Sequence, residues 1–297
     1  MKENQLAGLF LLPVAFFGML FNWIVIIIIV KENMLNTSSF MFLTFIKSLC
    51  DGLHMTCYLF FGVPMVFLAD PFLIFMSSYV SYGMIILFEI SVYTHFVTSL
   101  NRFVAVFFPM SYKRVFSIES TRKYAAFFAF ISVTMVSIVN FIFGCRIKYN
   151  PNSFEYFYDT TLPICQWYVM YGDFMKNLCL VSVDFGIDLV TLFKVQKMRR
   201  QFRMGKITEN YTKKETDFLK QIFGQGFCYL MGYTSYLMVP QMENNKFVAF
   251  FMSVISWGLI AMLAGLFTIV FNCEIRTKLI KEKNTKSSVI SVTPSKR

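Results

Sequence analysis

The chain has 297 residues and a formal charge of +11, with 56% hydrophobic, 19% aromatic and only 15% charged residues. Soluble globular domains carry about 25% charged residues, so this composition excludes a water-soluble globule and describes a polytopic membrane protein. The positive balance does not indicate a nucleic-acid binder, because the lysines and arginines lie between apolar runs instead of covering one soluble segment.

Taken in order, seven apolar segments approach the ~20 residues that a bilayer requires. They are 6–30, 38–62, 79–101, 122–144, 174–196, 217–240 and 247–271, and they predict an all-α bundle of seven transmembrane helices over residues 1–272. The first is too long for the core of a signal peptide and no small-residue cleavage site follows it, which leaves an amino-terminal stub of a few residues. The run from Pro64 to Met76 is broken by Asp70-Pro71 and reads as the exposed end of the second helix followed by a loop. With the first loop placed inside, 23 of the 28 lysines and arginines fall on the cytoplasmic side, Lys31 and Lys47 among them. That asymmetry predicts an amino terminus outside and a carboxyl terminus inside. The sequons at Asn36 and Asn210 would then face the cytoplasm and carry no glycan. Beyond Lys283 the chain is rich in Ser, Thr and Lys and reads as a disordered basic tail open to phosphorylation.

Several polar groups interrupt the apolar runs. Asp51 is expected to face the bundle interior, because a carboxylate in lipid costs several kcal/mol. Its partner is either the polar interior or Lys47 one turn away on the same helix. Glu89, Asp184 and Asp188 have no evident basic partner at their own depth. They read as internal hydrogen-bonding groups or, less specifically, as ligand contacts. The two histidines, His54 and His95, stand singly in apolar runs, and the seven cysteines include no C-x-x-C pair, so neither a metal site nor any other cofactor is expected. Cys145 and Cys165 share one loop on the oxidising side. They are expected to pair, with two free thiols as the alternative.

The segment Asn101-Arg102-Phe103-Val104-Ala105-Val106-Phe107-Phe108-Pro109-Met110-Ser111-Tyr112 resembles the D-R-Y-x-A-I-x-x-P-x-x-Y signature closing the third helix of rhodopsin-like receptors. Arg102, Ala105, Pro109 and Tyr112 stand in register, with Asn101 and Phe103 replacing the acid and the first tyrosine. Asn22, Asp51 and Ser91 resemble the polar core of that family. Phe271-Asn272 resembles the start of N-x-x-F-R, which implies a short cytoplasmic helix within 273–297 and adds Asn272 to the core set. The departures are informative. Ser77 stands 25 residues before Arg102, where the family has a bridging cysteine, Ala264-Gly265 replaces Asn-Pro, and the sixth segment has no proline before Pro240.

Those departures, with Gly18, Pro64-Met65-Val66, Glu89-Ile90-Ser91, His95, Gly144-Cys145-Arg146, Cys165, Gln225-Gly226, Trp257 and Gly265, make the chain similar to the nematode serpentine receptors of class X over about residues 10–272. Ala261 and Ala264 stand where that family often has His and Asp. The resemblance implies a chemosensory receptor at the plasma membrane, in the sensory cilium of a chemosensory neuron. It would bind a small external ligand in the bundle and couple to a heterotrimeric G protein through Asn101, Arg102, Phe103, Pro109 and Tyr112. Its partners would be that ligand, the G protein and the lipid bilayer. The alternatives are a receptor-like protein that has lost signalling, and a small-solute transporter or channel working through Glu89, Asp184 and Asp188. No hydrolase or nucleotide-binding motif supports an enzyme.

Overall fold

The computed structural model describes the backbone of residues 2–201, 206–238 and 245–280, and side chains within these ranges except at 199–215 and 237–238. Among the described residues, five helices are long and apolar enough to cross a membrane: α1 (Glu3–Lys31), α2 (Ser39–Leu68), α3 (Pro71–Phe107), α5 (Ile118–Ile142) and α8 (Lys246–Phe271). A short helix, α4 (Pro109–Val115), joins α3 to α5. Helix α6 opens at Pro163–Trp167, widens into a π segment at Tyr168–Met175 and continues through Lys176–Gln201. Helix α7 spans Lys206–Met238. Residues 273–280 form a further helix, α9. Pro240 and the expected basic tail beyond Lys283 lie outside the described residues.

Helices α2, α3, α5 and α8 start where short polar side chains satisfy the first free backbone N–H groups. Ser38 Oγ accepts from Met41 N at 3.2 Å, Ser117 Oγ from Ser120 N at 3.1 Å and Asn245 Oδ1 from Val248 N at 3.3 Å. Asp70 Oδ1 accepts from Phe72 N at 2.9 Å and Leu73 N at 3.2 Å, with Pro71 at the first helical position. Asp70-Pro71 therefore starts a helix. The expected loop at 64–76 is replaced by a link at Ala69, held in a left-handed conformation, between α2 and an α3 that begins eight residues earlier than the apolar pattern indicates. The fifth segment likewise begins before residue 174, at Pro163, which places Lys176 well inside the helix.

The packing is inverted relative to a soluble protein. Phe16, Phe17 and Ile27 of α1 and Phe127, Phe130 and Val133 of α5 are exposed, whereas Asn22, Lys47, Asp51, Ser91, His95, Asn101 and Asp184 are buried. This arrangement suits a lipid surroundings, where apolar side chains gain nothing by turning inward and polar groups do. Helix α3 lies in the centre, against α2, α5 and α6; α1 packs on α2 and α8, and α7 bridges α6 and α8. At one end of the bundle, β1 (Ile147–Asn150) and β2 (Glu155–Tyr158) form an antiparallel hairpin in the register Ile147 to Tyr158. Arg102 lies at the other end.

Candidate functional site

The hairpin roofs a cavity of about 130 Å³ between α2, α3, α6, α7 and α8. Its walls are mainly aromatic. Trp257 of α8 meets Phe88 of α3 edge-on at 4.5 Å and Tyr233 of α7 at 5.0 Å, and Phe174 of α6 packs on Tyr233 at 6.4 Å. The rings of His54 and Tyr58 of α2 stack at 5.2 Å along another wall. Three hydroxyls among the lining residues, on Ser81, Tyr156 and Tyr233, are buried with no hydrogen-bond partner among the described residues. Buried hydroxyls are normally paired, so these three groups are suited to a guest.

Two ties hold the roof. Cys145 and Cys165 form a disulfide with a Cα–Cα distance of 5.3 Å, joining the strand side of the loop to the start of α6. Ser77 occupies the position where a bridging cysteine was missed in the sequence, and its Oγ accepts from the backbone N–H of Tyr149 at 3.1 Å. A hydrogen bond thus docks the hairpin onto α3 at that point. Outside the membrane-spanning helices, Lys148 donates to Asp159 at 2.8 Å and, with Thr161, holds the Asp159 carboxyl below its ordinary range.

Beside the cavity, Glu89 is buried and fully engaged. It accepts from Lys176 Nζ and from Asn177 Nδ2, each at 2.7 Å. Asn177 also donates to Asp173 at 3.1 Å, and Tyr158 of the hairpin donates to the other Asp173 oxygen at 2.9 Å. The expectation that Glu89 lacks a basic partner is corrected here. Lys176 stands near the start of the fifth apolar run, but α6 begins at Pro163, so Lys176 lies inside the helix beside Glu89.

One layer deeper, Asp51 lies in a closed polar network. Lys47 Nζ donates to Asp51 Oδ2 at 2.7 Å, to Tyr229 OH at 3.0 Å and to Ser91 Oγ at 3.2 Å, and Ser91 donates to Asp51 Oδ1 at 2.6 Å. Both readings of Asp51 are therefore realised together: it faces inward, and its cation is Lys47. Lys47 itself is a core residue of α2, not a loop charge. Asn22 donates to the carbonyls of Gly18 and Ala261, each at 2.9 Å. A Cβ at Gly265 would stand 2.9 Å from Asn22 Nδ2, so only glycine lets this approach occur. Gln225 of α7 donates to Ala264 O at 2.9 Å and Thr268 Oγ1 at 3.1 Å. The backbone of α8 thus supplies acceptors where Ala261 and Ala264 offer no polar side chain. Asn272 does not join this layer. Its Oδ1 caps α9 through Glu274 N at 3.2 Å and Ile275 N at 3.3 Å, because it ends α8 and starts the next helix.

His95 of α3 meets Asp184 of α6, Nε2 to Oδ2, at 3.0 Å, with Asp188 one turn further along the same face. Sequence spacing could pair the two acids with each other but gave no sign of the histidine on α3, so the absence of a partner for Asp184 is also corrected.

At the far end, Asn101 is buried and Arg102 nearly so. The Arg102 guanidinium lies 3.7 Å from the Phe40 ring centre and 4.5 Å from that of Phe218, and the two rings are 4.6 Å apart. It is held between α2 and α7. Tyr112 of α4 reaches back to Asn101 at 3.4 Å, a long contact, and Phe103 stacks on Phe107 at 4.5 Å. Pro109 opens α4, and Ser39 of α2 donates to Phe116 O at 2.6 Å, fastening the connection. Phe40 and Phe218 are functional candidates that the sequence did not expose, since a phenylalanine among 37 carries no positional signal.

The pattern of the family described as "Serpentine type 7TM GPCR chemoreceptor Srx" matches residues 12–272. The chain is 24% identical to Serpentine receptor class X 45 of Caenorhabditis elegans over 315 residues, covering 99% of this chain and 86% of that protein. It is 21% identical to Serpentine receptor class X-43 of the same organism over 207 residues, covering 69% of this chain and 64% of that one.

Proposed function

The chain belongs to the Srx family of serpentine GPCR-like chemoreceptors, and from that premise we propose that it binds a small external molecule in the aromatic cavity and passes the signal to a heterotrimeric G protein at the Arg102 end. In this reading α6 and α7 cross the membrane with the other five helices, the hairpin faces outward, and the tail is inside. The seat of action is the plasma membrane of a chemosensory cell, at its cilium.

The observation that carries the reading is the cavity itself. Apolar cavities of roughly 150 Å³ take up a benzene-sized guest, and this one has a comparable volume with three spare hydroxyls on its wall. It suits a small, largely apolar ligand with one or two hydrogen-bonding atoms. Trp257, Tyr233 and Phe88 belong to α8, α7 and α3, and Arg102 is clasped between α2 and α7. A guest that favours one arrangement of α3 and α7 biases the clasp, provided its affinity differs between the two states. Opening the clasp would present Arg102 with Asn101, Phe103, Pro109 and Tyr112 to the G protein.

The test is a second-messenger screen of the full chain with co-expressed G-protein subunits against small volatile and water-soluble compounds. A response is expected, and Ser81→Leu, which fills the cavity at a lining hydroxyl, should weaken it at equal surface expression. A response that Ser81→Leu leaves untouched would place the ligand elsewhere.

A further inference from the structure

We propose that His95, Asp184 and Asp188 bind one divalent transition-metal ion of the zinc type, joining α3 to α6 beneath α7. All three side chains are buried, each about 1% exposed. Asp184 and Asp188 are one turn apart, so both carboxylates leave the same face of α6 and meet the imidazole of α3. One donor atom from each residue lies within 4.8 Å of the others, and His95 Nε2 is 3.0 Å from Asp184 Oδ2. Donors at about 2.0–2.1 Å around a tetrahedral zinc are separated by roughly 3.3 Å. The donors therefore stand somewhat wider than a bound ion would hold them, and closing on one ion draws them together.

Two further observations point to an ion. Neither oxygen of Asp188 makes a well-formed hydrogen bond among the described residues, although the Ser99 hydroxyl of α3 faces its carboxyl. No lysine or arginine among the described residues forms an ion pair with Asp184 or Asp188, and the nearby Lys47 is taken by Asp51, Ser91 and Tyr229. Two ionised carboxylates in an apolar bundle are costly without a compensating charge, and one divalent cation would balance both. Helix α7 covers the donors with a glycine. A Cβ at Gly226 would stand 3.3 Å from His95 Nε2 and 3.4 Å from Asp188 Oδ2. The glycine therefore lets α7 pack closely against the two donors.

One imidazole and two carboxylates form a donor set for Zn²⁺ or Mn²⁺. It offers too few oxygens for Ca²⁺ and no sulfur for Cu⁺. An ion there would pin α3 to α6 within reach of the Asp51 network, since His95 packs on Tyr229 with ring centres 5.3 Å apart. The assignment does not depend on the signalling reading, because its test reads binding alone.

The experiment uses the full chain, purified in detergent without a histidine tag, stripped with chelator and titrated with Co²⁺ and Zn²⁺. Wild type should bind one ion per chain, give the visible absorption of four- or five-coordinate Co²⁺, and unfold at a higher temperature with Zn²⁺ present. Asp188→Asn and His95→Gln should weaken binding by about 100-fold or more, since even partners outside the ligand shell change affinity 10–100-fold. Gly226→Val, which changes no ligand, should weaken it by crowding the donors and serves if the ligand variants do not fold. Absence of the Co²⁺ absorption and of any Zn²⁺ effect in wild type would overturn the proposal. Equal binding by wild type and the folded variants would do the same.

Discussion

At Arg102 two phenylalanine rings lie against the guanidinium, and that contact bears on what the residue can do. Guanidinium groups on aromatic faces gain about 0.5–2 kcal/mol, more when water is excluded, which is enough to bias a conformational equilibrium without locking it. Phe218→Ala removes one ring of the clasp and should raise basal second-messenger output several-fold at matched surface expression; an unchanged baseline would deny the clasp a holding role. The Lys47–Asp51 pair makes a different prediction. Breaking a buried ion pair from one side typically costs about 3–5 kcal/mol, whereas replacing both partners is far milder. Lys47→Met should therefore lower the thermal unfolding temperature of the detergent-solubilised chain markedly, and Lys47→Met/Asp51→Asn should recover most of the loss. At this scale the sequence was legible wherever a polar residue interrupted an apolar run. Asp51, Arg102 and Glu89 announced themselves in that way. Phe40, Phe218 and the meeting of His95 with Asp184 did not, because partnership across helices has no one-dimensional signature.

Among the elements, the hairpin and its ties decide access to the cavity. A disulfide closing a 20-residue span contributes about 3 kcal/mol in a chain-entropy estimate, and Tyr156 and Tyr158 of β2 line the cavity beneath it. Cys145→Ser/Cys165→Ser should lower the unfolding temperature and weaken ligand potency together, while Ser77→Ala, which removes one hydrogen bond to the roof, should reduce potency with little effect on stability. Dose–response curves beside unfolding curves separate the two. The apolar stretches marked the five helices that, among the described residues, are long and apolar enough to cross a membrane, because such spans are read from length and hydropathy. Their ends were less legible. Asp70-Pro71 looks like a break yet caps α3, and Lys176 looks like a charge at the edge of its helix yet lies within α6 against Glu89, since a charge paired across helices is indistinguishable in sequence from one in water. The hairpin left no clear mark, because its strands are only four residues each.

Over the whole molecule, polar layers run through a bundle with an apolar exterior: the aromatic cavity, the Asp51 network, and the Arg102 clasp. Helices α3 and α7 contribute to all three, through Phe88, Ser91 and Arg102 on one and Tyr233, Tyr229 and Phe218 on the other. A relative shift of these two helices is the simplest route from cavity to clasp, and it needs no proline hinge in α7, whose described backbone is continuous from Lys206 to Met238. Family and broad architecture were legible in the sequence because the Asn-Arg-Phe segment, the paired loop cysteines and the apolar spacing agree along most of the chain. The route between sites was not, since it depends on which faces of α3 and α7 meet.

The central claim is that the cavity governs Arg102, and it is tested by expressing wild type and Arg102→Glu at matched surface levels with co-expressed G-protein subunits, against a compound active on the wild type. Binding of that compound, read by competition at the cavity, should persist in both, while the second-messenger response should vanish in Arg102→Glu. Equal responses from the two would contradict the account.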